Sequence, residues 1–140
     1  NLSNSKDMAL DYSFLKSNVV QLPMNNQMDI PTFIGTLFQF RDRIHLAHLS
    51  TGSYAAHVAL GSLYEGLLDQ IDTLTETAQS EGLLKITIPQ SDPSNESVAQ
   101  ELLDFVRTNR HIFPYSYQSQ IIDNIEEIAS RCCYKIKFLK

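Results

Sequence analysis

The chain contains little of several residue types: it has no tryptophan, two cysteines, five glycines and five prolines in 140 residues. It also has no apolar run near the roughly 20 residues that a membrane helix needs, so we expect a soluble protein with no membrane partner. With 43% hydrophobic residues, the composition excludes collagen-like and low-complexity sequence. It predicts one globular domain with a single core.

The two cysteines, Cys132 and Cys133, are adjacent in the sequence. A disulfide across one peptide bond is strained and rare. We therefore expect two reduced thiols, in an intracellular protein or in a particle assembled inside a cell.

Basic residues are absent between Arg43 and Lys85, and the formal net charge of the chain is −5. Such a stretch repels phosphate, so no nucleic-acid partner is expected. The basic residues cluster only at the C-terminal end, where they complement the negative end of a last helix. This C-terminal basic cluster consists of Arg131, Lys135, Lys137 and Lys140.

Residues 1–29 show no sustained helical period and are interpreted as an N-terminal arm. The arm either docks on the bundle or on a neighbour, or is a partly ordered tail. Asp29 and Pro31 predict the start of a first helix that runs to about Thr51. Ser53 is a good N-cap for a second helix, which is expected to reach roughly Ser80 and to end at Gly82.

The remaining sequence predicts one extended stretch and two further helices. Residues 83–89 alternate in an extended way, which suits a crossing segment or a short edge strand. Asp92-Pro93 is expected to start the third helix, and apolar residues at helical spacing between Ile121 and Ile136 predict the fourth. Residues 30–140 are therefore expected to form an all-α, up-and-down four-helix bundle.

The second helix sorts its residues into two faces when each position advances by about 100°. The predicted core face consists of Leu60, Leu63, Leu67, Ile71, Leu74 and Ala78. The polar face contains no Lys or Arg. It consists of His57, Gly61, Glu65, Asp69, Asp72 and Glu76, interrupted by Leu68. Like charges at i,i+4 spacing repel, so the face is either a solvated surface or the site of a bound cation.

Three histidines, His45, His48 and His57, lie within thirteen residues at the junction of the first two helices. Asp42 precedes His45 by one turn, which gives the pattern Asp-x-x-His-x-x-His. Imidazole together with carboxylate favours Fe, Mn or Zn over Ca or Mg. Structural histidines are the alternative interpretation.

A helix rises about 1.5 Å per residue, which separates His57 from Asp72 by about 22 Å, so the two cannot bind one metal ion within a chain. They converge only if the second helix of another copy packs antiparallel to the first. The midpoint of this pairing lies near Glu65 and Gly66. A site built in this way lies at a dimer interface and occurs twice.

The spacing of His45, His57, Asp72 and Glu76 resembles that of Dps, the mini-ferritins that bind and oxidise iron between two-fold-related subunits. The resemblance implies a ferritin-like fold. It also implies a metal site of His45 and His57 from one subunit and Asp72 and Glu76 from the other. Iron is the implied metal, with Zn or Mn as alternatives. Dps has a further carboxylate four residues after the second histidine, where this chain has Gly61.

Four runs in the chain are similar to small ferritin-like proteins encoded by tailed phages. They are Ser53-Tyr54-x-x-His57-x-x-Leu60, Leu63-Tyr64-Glu65, Asp69-x-x-Asp72 and Tyr134-Lys135-x-Lys137. Those phage proteins have no settled function to carry over, but the similarity implies a location in the host cytoplasm or within a virion, with other virion proteins as further partners. The two faces of the second helix predict a homo-oligomer, either a dimer through that helix or a larger assembly.

Two function classes follow, and the sequence leaves open whether the protein is an enzyme. The first is a Dps-like metal-binding protein that binds or oxidises iron at a dimer interface, which the clustered His and carboxylate residues favour. The second is a structural or interaction protein with a degenerate site, which Gly61 favours. No Glu-x-x-His motif occurs, and this disfavours a di-iron centre within one chain, although Glu126 and Glu127 could face the second helix.

Overall fold

The computed structural model describes residues 27–91 and 95–139. Within this part of the chain the secondary structure is entirely helical, so the all-α prediction is confirmed. The long helices are α1 (Ile30–Ser50), α2 (Tyr54–Ala78), α3 (Val98–Asn109) and α4 (Ser116–Phe138), and short 3-10 helices follow α2 (Gln79–Glu81) and α3 (Arg110–Ile112). None of the described helices has the length and apolar character required to cross a bilayer.

Local capping sets the bounds of α1 and α2 close to those predicted. The Asp29 carboxylate accepts a hydrogen bond of 2.9 Å from the Thr32 amide. The Ser53 hydroxyl caps α2 by accepting from the Ala56 amide. The 3-10 turn that follows α2 ends at Gly82, whose φ of 140° is a conformation that glycine adopts without steric cost.

The predicted start of the third helix at Asp92-Pro93 is wrong, because α3 begins at Val98. The Asn95 side-chain oxygen accepts hydrogen bonds from the amide and the hydroxyl of Ser97, at 2.9 and 2.7 Å. Such an Asx turn competes with helical hydrogen bonding and delays the helix. Residues 92–94 lie outside the described residues.

Residues 82–91 form an extended segment, here called the crossing segment, that runs alongside α1. Backbone contact is so close that a Cβ on Gly35 would lie 2.1 Å from the Thr87 carbonyl oxygen. The Gln39 amide also donates to the Pro89 carbonyl at 2.8 Å. The segment makes no strand, so the prediction of a crossing segment is confirmed and that of an edge strand is wrong.

The crossing segment determines the directions of the helices. Arg43, late in α1, pairs with Glu101, early in α3, while Phe33, early in α1, packs on Phe105, later in α3. Helix α3 is therefore antiparallel to α1, as α2 is, and α2 and α3 run in the same direction. The predicted up-and-down topology of the four helices is therefore wrong at the step from α2 to α3. There the crossing segment carries the chain back along the length of the bundle before α3 begins.

Each of α1 and α4 packs between α2 and α3 and encloses one apolar core with them. Phe33 lies at one end of this core, with its ring centroid 5.0 Å from that of Phe105 and 4.9 Å from that of Phe113. The predicted core face of α2 is confirmed, since its leucines and isoleucine are buried and Ala78 packs against them. The buried members are Leu60, Leu63, Leu67, Ile71 and Leu74.

Gln118 is the one buried polar side chain among the described residues, with 2% of its surface exposed. Its amide nitrogen donates to the Thr77 hydroxyl on α2 at 3.4 Å, and its oxygen accepts from the Tyr115 amide at the start of α4. No carboxylate enters the described core. The core formed by the described residues therefore offers no carboxylate ligand for a metal ion.

Candidate metal centre at the turn between α1 and α2

The turn between α1 and α2 brings the three clustered histidines together. The rings of His48 and His57 are stacked, with centroids 3.9 Å apart and planes at 17°. His45 stacks on Tyr64 of α2, at a centroid distance of 4.0 Å. A centroid distance of 6.2 Å between His45 and His48 links the two stacks into one cluster of rings, here called the histidine cluster.

His48 and His57 also bind each other through reciprocal hydrogen bonds. Nδ1 of His48 donates to the His57 carbonyl at 2.6 Å, and Nδ1 of His57 donates to the His48 carbonyl at 2.8 Å. The His48 carbonyl is one of the last four of α1, which lack a partner within the helix. Because a carbonyl oxygen only accepts, each Nδ1 carries the proton, and the lone pair of each neutral ring is on Nε2.

Gly61 provides the space for the His48 ring. A Cβ at this position would lie 2.9 Å from Cε1 of His48 and 3.1 Å from its Nδ1. The imidazole of His48 fills the space beside Gly61. A larger residue at 61 would displace the ring and break its stack with His57.

The stack limits how these two histidines can bind an ion. Zn and similar metals bind imidazole nitrogen in the ring plane at about 2.0–2.1 Å. The lone pairs of His48 and His57 lie in nearly parallel planes, so they do not converge on one point. In this arrangement one histidine of the pair can be a ligand while the other holds it in place.

Asp72 and Glu76 are exposed on the second half of α2, far from the histidine cluster. Helix α2 is continuous from Tyr54 to Ala78, so His57 and Asp72 are separated by about 22 Å along its axis. The fold thus brings His45 and His57 to one end and leaves Asp72 and Glu76 towards the other. Among the described residues of one chain, no three His, Cys, Asp or Glu side chains are placed to hold a metal ion together.

The carboxylates on the outward side of α2, here called the acidic face, are Glu65, Asp69, Asp72 and Glu76, and all four are exposed. None of them forms an ion pair with a described residue. The described ion pairs lie elsewhere, between Arg43 and Glu101, Arg107 and Glu126, Arg110 and Asp123, Arg110 and Glu126, and Arg131 and Glu127.

Glu126 and Glu127 were alternative candidates for facing α2. Glu126 is paired with Arg107 and Arg110, and Glu127 with Arg131 one turn later on α4. Both carboxylates are therefore neutralised by arginines and do not face α2 as candidate ligands.

Arg41 and Tyr64 also belong to this site, although the sequence did not predict them as members. The guanidinium carbon of Arg41 lies 5.8 Å from the centroid of the Tyr64 ring, which also carries His45. The Arg41 Nε is buried and has no hydrogen-bond partner in the described structure. The signal was available, since Arg41 precedes His45 by four residues and so lies on the same side of α1.

The two cysteines are free thiols, as expected. Burial raises the pKa of Cys132 to about 12. The pKa of Cys133 is also raised, mainly by burial and to a smaller extent by the nearby Asp104 carboxylate. A raised thiol pKa lowers the thiolate fraction, so neither residue is suited to nucleophilic or metal chemistry at neutral pH.

The chain belongs to DUF5856, a family of unknown function whose pattern matches residues 48–137. The matched part contains His48, His57 and all of α2, but not His45 or Arg41. Comparison with curated proteins and with solved structures gives no match.

Proposed function

We propose that this protein is a ferritin-like metal-binding protein whose site is shared between two copies of the chain. His57 and His45 of one copy bind the metal together with Asp72 and Glu76 of the other. Iron is the proposed metal, with zinc and manganese as alternatives that suit the same donors. Each dimer then holds two equivalent sites.

The observation that carries the proposal is the pair of reciprocal hydrogen bonds between His48 and His57. Metal-binding histidines characteristically donate their second ring N–H to a carbonyl or carboxylate, which fixes the tautomer and orients the ligand nitrogen. Here the Nδ1 bond of His57 leaves Nε2 as the donor atom. His48 acts as a positioning residue through its stack with His57.

The arrangement of the helices supports the ferritin-like part of the proposal. Ferritin-like bundles contain one long crossover connection. The crossing segment is such a connection, and it joins two antiparallel hairpins, α1 with α2 and α3 with α4. Dps, the proposed relative, binds iron between two-fold-related subunits.

The uneven charge along α2 supports a site between two chains. Its first half carries His57 and no carboxylate before Glu65, whereas its second half carries Asp69, Asp72 and Glu76. Antiparallel pairing places the imidazole end of one helix against the carboxylate end of the other. A cation bound there offsets the repulsion between Asp72 and Glu76, which are one turn apart.

Metal titration of the full chain tests the proposal. We expect Zn(II) or Fe(II) to bind at about one ion per chain and to raise the unfolding temperature, because a ligand that binds only the native state stabilises it. His57→Ala should abolish both effects. His111→Ala is the matched control, since His111 is exposed on the 3-10 helix after α3, and it should bind metal as the native chain does.

Mixing two inactive variants tests whether the site is shared. His57→Ala and Asp72→Ala should each lose metal binding, and a refolded mixture should recover it, because each mixed dimer contains one site with all its ligands. Unchanged binding by His57→Ala, or no recovery in the mixture, would contradict the shared site. Absorbance on addition of Fe(II) in air shows whether the bound iron is also oxidised.

A structural or interaction role, as a virion component without metal, is the second candidate. It is favoured by exposed apolar side chains beside the histidine cluster: Leu46, Leu49 and Tyr54 are 54%, 64% and 81% exposed. Exposed apolar groups that lie together commonly mark a contact with another protein. An oligomer that binds none of the three metals would favour this role.

A further inference from the structure

The acidic face of α2 also carries exposed apolar side chains. Tyr54, Val58 and Leu68 are 81%, 45% and 38% exposed. They lie on the same side of α2 as Glu65 and Asp72, since all fall at spacings of three and four residues. This side is the surface through which the proposed function requires a second copy to dock.

Antiparallel pairing of two α2 helices creates an electrostatic problem at the symmetry axis. In a two-fold interface, a residue at the axis faces its own copy. With the midpoint at Glu65 and Gly66, the exposed Glu65 side chains of the two copies approach each other. Two carboxylates in this position repel unless a cation lies between them.

Arg41 lies at the required position. Its guanidinium contacts the ring of Tyr64, the residue before Glu65, and so lies at the level of the proposed axis. It forms no ion pair with a described residue, and its Nε is buried without a hydrogen-bond partner. A partly buried guanidinium without a carboxylate is unfavourable, so the position calls for an anion from outside the described part of the chain.

We infer that Arg41 of each copy pairs with Glu65 of the other across the α2 interface. This inference rests on the proposed function for the direction and midpoint of the pairing. Two arginines and two glutamates then alternate around the axis, and each Glu65 is neutralised by the partner chain. The occupant of this surface is therefore a second copy of the chain, with the opposite charge at the matching level.

Charge reversal tests the pairing in the full chain. Sedimentation equilibrium in the presence of EDTA measures the dimer dissociation constant without any contribution from metal. Arg41→Glu and Glu65→Arg should each raise this constant by about tenfold or more, because like charges across an interface are costly and each substitution occurs twice per dimer. The double variant should return to within about threefold of the native value, because it restores opposite charges.

Arg131→Glu is the control, because Arg131 is exposed on α4 and pairs with Glu127 of its own helix. Its dissociation constant should match that of the native chain. A native constant in Glu65→Arg, or a double variant no tighter than the single variants, would overturn the inference. A native chain that stays monomeric at tens of micromolar would overturn both this pairing and the shared metal site.

The two proposals can fail separately. If metal binds at one ion per chain and the charge reversals leave dimerisation unchanged, the Arg41 pairing is wrong and the metal site stands. If the double variant restores the dimer and no metal binds, the pairing stands and the metal site is wrong.

Discussion

At the scale of single residues, His48 and Gly61 have to be considered together. The missing carboxylate at position 61 favours loss of function when the sequence is compared with Dps. In the structure the same position accommodates an imidazole that orients His57. In the proposed site, position 61 would thus support the neighbouring histidine and supply no oxygen donor, which favours metals that bind nitrogen well.

The cysteines provide a prediction at this scale. Burial raises the pKa of Cys132 to about 12, so this thiol is almost entirely protonated at pH 7. We expect Cys132 in the native protein to be unreactive towards an aromatic disulfide reagent and Cys133 to react slowly, at a rate that rises with pH. In denaturant both should react rapidly.

The variants Cys132→Ser and Cys133→Ser assign the reacting thiol in that experiment. Native Cys133→Ser should show no rapid phase. A rapid phase in this variant would mean that the Cys132 environment is more open than the packing indicates.

The sequence indicated which residue types form the site but not their contacts. The histidines and the acidic face could be identified because helical spacing determines which residues share a side. The stack of His48 on His57 could not, because it depends on the angle at which α1 and α2 meet at the turn. Helical spacing places Arg41 on the same side of α1 as His45, but its contact with Tyr64 could not be predicted, because Tyr64 belongs to another helix.

At the scale of the elements, the contact between the crossing segment and α1 predicts a large effect at Gly35. A Cβ there would overlap the Thr87 carbonyl, a backbone atom that cannot rotate away. We expect Gly35→Ala to lower the free energy of unfolding by about 1–3 kcal/mol, the usual cost of overpacking. Urea denaturation measures the change.

Gly52→Ala is the matched control, because a Cβ at Gly52 meets no atom within 4 Å. Its free energy of unfolding should change by less than about 0.5 kcal/mol, as at other surface positions. Equal losses in the two variants would show that the effect reflects glycine itself and not the backbone contact.

Helix ends were predictable where the capping group is local. The helix ends at Asp29, Ser53 and Gly82 depend on hydrogen bonds or backbone conformation within a few residues of each position. Their roles therefore follow from the sequence. The start of α3 was wrong because Asn95 and Ser97 form a turn that competes with the helix. The common direction of α2 and α3 depends on where the crossing segment packs, and helical periodicity carries no information about that.

At the scale of the whole molecule, the charge distribution predicts no binding to DNA. The net charge is −5, and a dimer carries twice that. With few cations to release counterions from phosphate, we expect no mobility shift of duplex DNA at physiological salt. A strong, salt-sensitive mobility shift would contradict this prediction. If the double variant Arg131→Gln/Lys137→Gln lost that shift, the binding would be assigned to the C-terminal basic cluster.

The amide of Gln118 has a consequence for the uniqueness of the fold, as distinct from its stability. Two apolar helix faces such as those of α2 and α4 can slide past each other by one turn and still bury most of their side chains. Such a slide would separate Gln118 from Thr77 and leave the buried amide nitrogen of Gln118 unpaired, at a cost of about 1–3 kcal/mol. One polar side chain in an otherwise apolar core therefore fixes the axial register of α4, and with it the level at which every residue of α4 meets α2.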